Sequence, residues 1–292
     1  MLVRIVILAV GLIVSVSASA QQPSPEARRL LESLEKDGCV VLDQIKICKY
    51  DYASNGNNVE AISFRPVADE RYPAILMVPG FQRTAVDLIY LGRILGAEGY
   101  ASLAVSQPGF GKSTGKADYV GPATIDALLL GFKKFHDEPY VDQKRMGIYG
   151  YSRGGMAASL LAVKLKDIKA AVLGAGIYDL KQAYDEMKME GIRENMRAET
   201  GMTEAAVRER SSILQMKELR APVLILHGEK DENVPVSQAL ALRDRLTELK
   251  KDFEIKLFPN APHGIPRDEM MPVMIDFLNR RVKGVKTQPS KN

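Results

Sequence analysis

The chain of 292 residues is 46% hydrophobic and 26% charged, with only two cysteines. That balance excludes disordered, collagen-like and cystine-rich scaffolds and fits an enzyme-sized globular protein. The 40 basic and 36 acidic residues leave a formal charge of +4, and the basic excess gathers at Arg280, Arg281, Lys283, Lys286 and Lys291; this reads as a basic flexible tail over 283–292, not as a nucleic-acid footprint.

Met1 to Ala20 joins one cation, Arg4, to the apolar run Ile5 to Val14 and the small residues Ala18-Ser19-Ala20. This is the pattern of a secretory signal peptide cut after Ala20. The apolar run would rise only about 15 Å as a helix. A bilayer's hydrocarbon core is about 30 Å thick, so no stable membrane span is expected after processing. Residues 21–282 are then expected to form one domain, periplasmic or secreted, in an oxidising compartment where Cys39 and Cys48 can pair. The stretch Cys39 to Lys49 reads as a hairpin with Asp43-Gln44 at its tip, which sets Leu42 opposite Ile45 and Cys39 opposite Cys48. The cysteines then occupy a non-hydrogen-bonded pair with Cα atoms about 4.5 Å apart, at the short end of disulfide reach. Two buried free thiols are the alternative.

Ser24-Pro25-Glu26 can open a helix that Gly38 ends. Asn55-Gly56 marks a turn before an extended run from Val59 to Phe64. From Pro73 onward the pattern changes to short runs that are apolar at every position: Ala74 to Val78, Ala101 to Val105, Met146 to Tyr149, Ala170 to Leu173, Val223 to Leu226 and Ile255 to Phe258. Helical patterns separate them, at Thr84 to Glu98, Ala123 to Phe135, Gly155 to Lys166, Ser237 to Leu249 and Asp268 to Arg281. Continuous apolar runs fit strands buried on both faces of a parallel sheet, so the fold class is α/β, preceded by antiparallel strands. Between Asp179 and Arg220 there is no strand-like run. Met187, Met189, Met196, Met202 and Met216 punctuate charged helical sequence there, predicting a helical insertion over about 179–220, either a packed helix pair or a substrate-facing cap.

The chemistry-bearing motif is Gly150-Tyr151-Ser152-Arg153-Gly154, directly after a buried strand and directly before a helix. In that setting a Gly-x-Ser-x-Gly turn lifts its serine above the carboxyl end of the sheet. A hydroxyl near pH 7 needs a base within hydrogen-bond reach and a third group to orient that base. Of the three histidines, His263 lies on the loop after the last strand and is the expected base. His136 ends a helix beside Lys133 and Lys134 and reads as a surface residue, and His227 closes a strand and reads as structural. Asp231, a few residues past the strand Val223 to Leu226, is the expected acid, with Glu229 and Asp179 as fallbacks. The order Ser152, Asp231, His263 is that of α/β-hydrolases and differs from the chymotrypsin and subtilisin orders.

The sequence resembles the α/β-hydrolase superfamily and, within it, the dienelactone hydrolase and prolyl oligopeptidase branch. Tyr149-Gly150-Tyr151-Ser152-Arg153-Gly154-Gly155, His227-Gly228-x-x-Asp231-x-x-Val234-Pro235 and His263-Gly264 are similar to that branch's nucleophile, acid and histidine motifs. The resemblance runs from about Val59 to Leu278 and implies a mostly parallel eight-stranded sheet with helices on both faces. The roughly 50 residues ahead of it leave no room for that branch's β-propeller. Where the branch often has His-Gly-Gly at its oxyanion loop, this chain has Pro79-Gly80-Phe81-Gln82. The backbone N–H groups of Phe81 and Arg153 are expected to form the oxyanion hole.

Gly109-Phe110-Gly111-Lys112-Ser113-Thr114 imitates a phosphate loop, but the position of its first required glycine is Ser106. The scattered histidines offer no metal-ligand spacing. The expectation is therefore an exported serine hydrolase without cofactor or metal, cleaving a small-molecule acyl ester. A short-peptide peptidase or amidase is the first alternative and a catalytically idle binding protein the second.

Overall fold

The computed structural model describes residues 25–285. The expected signal segment and the tail beyond Val285 lie outside the described residues. Helix α1 (Pro25–Asp37) leads into the hairpin β1 (Cys39–Leu42) and β2 (Ile45–Lys49). Its register sets Leu42 opposite Ile45 and Cys39 opposite Cys48, and the cysteines form a disulfide with Cα atoms 4.1 Å apart. The tip is a primed turn, with φ of 48° at Asp43 and 63° at Gln44, although neither is the glycine or asparagine usually found there.

The turn at Asn55-Gly56 does not simply precede one long strand. It joins β3 (Tyr52–Ser54) to β4 (Asn57–Val59) in a separate two-stranded sheet, and β5 (Ala61–Pro66) begins only after Glu60. Glu60 interrupts the expected run because its backbone is engaged elsewhere. Its N–H donates to the Ser113 hydroxyl at 2.9 Å and its carbonyl accepts the Ser106 amide at 2.9 Å.

The alternating part follows as β6 (Tyr72–Val78), α2 (Ile89–Ala97), β7 (Ala101–Val105), α3 (Pro122–His136), β8 (Val141–Tyr151), α4 (Arg153–Lys164) and β9 (Ala170–Gly174). The insertion supplies three helices, α5 (Leu180–Glu186), α6 (Glu190–Thr200) and α7 (Glu204–Arg210), closed by a 3₁₀ stretch at Ser212–Glu218. The chain ends with β10 (Val223–Gly228), α8 (Ser237–Glu248), β11 (Phe253–Phe258) and α9 (Arg267–Leu278). One sheet holds nine strands in the order β1-β2-β5-β7-β6-β8-β9-β10-β11, one more than the eight that the resemblance implies and equal to the predicted hairpin, the run after Asn55-Gly56 and the six apolar runs taken together. From β7 to β11 every pairing is parallel.

The apolar runs divide by parity, as a two-faced sheet requires. Leu76, Leu103, Ile148, Leu173 and Ile225 join a core shared with α3, α4 and α8. Their neighbours Ile75, Met77, Val172, Leu224 and Leu226 join the opposite core, with Leu34, Leu95, Met274 and Phe277 from α1, α2 and α9. Each fully buried aliphatic side chain contributes about 1.5–3 kcal/mol of transfer free energy. The body continues through Lys283, which the sequence placed in the tail. Its ammonium donates to the Glu98 carbonyl and lies 4.2 Å from the centroid of the Tyr100 ring. Among the described residues no helix is long and apolar enough to cross a membrane.

Candidate active site

The carboxyl ends of β8, β10 and β11 lie along one rim, and each is followed by a loop carrying one of the expected residues. Ser152 sits between β8 and α4 with φ 57° and ψ −123°, a conformation that costs a non-glycine residue of order 1–3 kcal/mol. The turn is tight enough to dictate the flanking glycines. A Cβ on Gly150 would lie 2.0 Å from the Gly154 carbonyl oxygen, and one on Gly154 would lie 2.1 Å from that of Val78.

The structure brings Ser152, His263 and Asp231 together. His263 Nε2 is 2.9 Å from Ser152 Oγ, and Nδ1 is 2.8 Å from Asp231 Oδ2. The other Asp231 oxygen accepts the amides of Asn233 and Val234 at 2.9 and 2.8 Å. His227 is fully buried beside them. Its Nε2 faces the Val234 carbonyl at 3.0 Å and Asp231 Oδ2 at 3.3 Å. A carbonyl can only accept, so Nε2 carries the hydrogen. Burial alone would raise the Asp231 carboxyl, but hydrogen bonds from His227 and His263, the attraction of His263 and the Val234 amide hold it well below the usual carboxylate range. The two fallback acids are elsewhere: Asp179 caps α5 by accepting the Gln182 amide at 3.0 Å, and Glu229 is exposed. His136 pairs with neighbouring Asp137 on the surface, Nδ1 to Oδ1 at 2.9 Å.

A cavity of about 680 Å³ opens over Ser152 and is lined by both expected oxyanion residues, Phe81 and Arg153. The loop carrying Phe81 is held from behind, where Gln107 Nε2 donates to the Pro79 carbonyl at 2.9 Å. The phosphate-loop imitation backs this wall: Phe110 meets Phe81 edge to face at 5.7 Å between ring centres. A Cβ on Gly111 would lie 2.2 Å from a Glu60 carboxylate oxygen.

Two contributions escaped sequence reasoning although both residues lie in the motif. The Tyr151 hydroxyl donates to the His263 carbonyl and accepts the Ile265 amide at 3.2 Å, tying the histidine loop to the serine turn. Burial pushes this phenol up to about 12, so it keeps the hydrogen it donates. The Arg153 side chain is buried rather than solvated. It forms a two-pronged ion pair with Glu199 of α6. An aromatic residue inside the turn was a signal for the first; nothing in the local sequence points from Arg153 to a partner in the insertion.

A model of the prolyl oligopeptidase family matches residues 113–282, more than half of the chain. The uncharacterized peptidase YtmA of Bacillus subtilis (strain 168) is 29% identical over 248 residues, covering 82% of this chain and 91% of that protein. The dipeptidyl-peptidase 5 of Porphyromonas gingivalis is 27% identical over 228 residues, 72% of this chain but only 33% of that longer protein. Among solved structures, the Pyrococcus horikoshii acylaminoacyl peptidase aligns with a TM-score of 0.73 at 20% identity, over 85% of this chain and 43% of its own.

Proposed function

The chain belongs to the prolyl oligopeptidase family and is a serine hydrolase, and from that premise we propose that Ser152 is its nucleophile, His263 its general base and Asp231 the carboxylate that orients the base. The observation that carries the proposal is the unbroken hydrogen-bond line from Asp231 through His263 to Ser152. Ser152 Oγ attacks the acyl carbonyl while Nε2 takes its proton. The amides of Phe81 and Arg153 receive the negative charge that develops on the carbonyl oxygen. His263 then returns the proton to the leaving group, and water releases the acyl-enzyme by the same steps.

The cavity, about 680 Å³, falls within the range of small-molecule sites, about 300–1,000 Å³, which supports a small ester or a short peptide as substrate. The peptidase names of the sequence relatives weigh toward a peptide bond as the natural target, against the ester preference expected from the sequence. Activated esters remain substrates, since they form the same acyl-enzyme through an easier leaving group. The Cys39–Cys48 disulfide and the signal pattern before it support export to the periplasm or beyond.

Fluorophosphonate labelling tests the assignment. The folded protein should label at Ser152, and Ser152→Ala should abolish both labelling and turnover of aminoacyl p-nitroanilides and p-nitrophenyl esters. Labelling that survives Ser152→Ala refutes the nucleophile, and turnover of esters alone returns the substrate to the ester class.

A further inference from the structure

Glu199 spends both carboxylate oxygens on the site. Oε1 accepts Arg153 Nη1 at 3.0 Å, while Oε2 accepts Nη2 and also the Tyr119 amide at 2.7 Å. The Arg153 side chain is only 4% exposed. Its guanidinium carbon lies 5.5 Å from the ring centre of Phe81, 5.1 Å from that of Phe110 and 4.7 Å from that of Tyr119. Those rings come from two segments: Phe81 from the loop after β6, Phe110 and Tyr119 from the long connection between β7 and α3.

A buried ion pair adds little net stability over a well-packed apolar replacement, because desolvation offsets the attraction. What it fixes is position, since a guanidinium fork accepts a carboxylate in few orientations. Here the gripped residue carries one of the two proposed oxyanion donors on its own backbone. Its guanidinium packs against the ring of Phe81, whose backbone carries the other. One side chain therefore bridges both donors, and the residue that anchors it belongs to the helical insertion.

We propose that Glu199 is a positioning residue for the oxyanion hole, acting through Arg153 and Phe81, so that docking of α6 sets the rate of acyl transfer as well as the shape of the cavity. The inference rests on the assignment of Ser152 as nucleophile. A purely structural Glu199 would anchor the insertion and affect only stability or substrate affinity.

The experiment compares a matched pair of acyl esters, one with C=O and one with C=S at the reacting carbon, in the full chain and in Glu199→Ala, Glu199→Gln and Arg153→Met. Sulfur is a poor acceptor for amide donors, so an ordered oxyanion hole favours the oxygen ester. In Glu199→Ala, kcat for the oxygen ester should fall about tenfold, part of the 10²–10³ that losing a whole donor costs. The thiono ester should change little, so the oxygen-to-sulfur preference shrinks by the same factor. Arg153→Met should match it, and Glu199→Gln, which keeps an acceptor oxygen, should lie between. Should Glu199→Ala fail to fold, Glu199→Gln carries the measurement. An unchanged preference with a raised KM or a lower Tm overturns the proposal. A native protein that neither turns over nor labels at Ser152 refutes the nucleophile itself, and does so before any Glu199 variant is compared.

Discussion

Two regions meet over Ser152, and they are held in place by different means. On the sheet side, Ser152, Asp231 and His263 stand on loops after β8, β10 and β11, strands aligned by parallel ladders; the Ser152 amide itself extends the ladder to the Gly174 carbonyl at 2.8 Å. The insertion is attached through side chains. Gln238 Oε1 accepts the amides of Tyr178 and Asp179, both at 2.9 Å, where the chain enters it. Ser159 Oγ on α4 lies 2.8 Å from Ser212 Oγ. The Arg210 guanidinium donates to the Asp118 carbonyl at 2.9 and 3.2 Å. A ladder survives almost any single side-chain change, whereas each of these attachments ends with one substitution. Changes on the rim should therefore remove chemistry from a folded protein, and changes under the insertion should remove order.

The largest effect is expected on the rim. Asp231→Asn leaves the shape intact but lets His263 present the wrong tautomer to Ser152, and kcat should fall about 10⁴-fold. The same variant checks the charge. A carboxyl whose folded value is depressed stabilises the fold above its unfolded value, about 3.9 for aspartate, and that contribution disappears as pH falls through the lower folded value. In urea titrations between pH 7 and pH 2 the native protein should therefore lead the variant most at neutral pH, with the gap closing in acid. A gap independent of pH would show that Asp231 is not held as a carboxylate.

The smaller effects separate the two regions. Gln238→Met strips the acceptor from the buried Tyr178 amide and the half-buried Asp179 amide, and a buried donor left unpaired costs about 1–3 kcal/mol. Urea unfolding should register that loss, and limited proteolysis should cut first within 179–220. Equal protection there would mean that the insertion does not depend on its side-chain anchors. Tyr151→Phe releases the histidine loop from the serine turn, and kcat should fall roughly tenfold with KM nearly unchanged, less than the 10² that a 1 Å misplacement can cost. A wild-type kcat would show that β11 alone suffices to place His263.

The same division explains what could be read in advance. The runs Ala74 to Val78 and Ala101 to Val105 announced strands because burial on both faces leaves no polar position. Gly150 and Gly154 announced the turn because no other residue fits. Leu42, Ile45 and the two cysteines set the hairpin register through period-two geometry. These signals are local or periodic. The Arg153–Glu199 pair spans 46 residues, and a lone arginine next to a serine carries no mark of burial. Nor does the apolar pattern of Val59 to Phe64 reveal that Ser113 and Ser106, far along the chain, take the Glu60 backbone and split the run in two.

The Cys39–Cys48 link closes the outermost hairpin, and three strands, β5, β7 and β6, separate that hairpin from β8. Cutting it with a thiol reagent should cost about 2–3 kcal/mol of loop entropy while leaving the machinery at the far strands aligned. On the proposed assignment of Ser152, His263 and Asp231, catalytic speed and durability depend on different parts of one sheet. In oxidising surroundings the molecule would last; in reducing ones it would work at full pace and be degraded sooner.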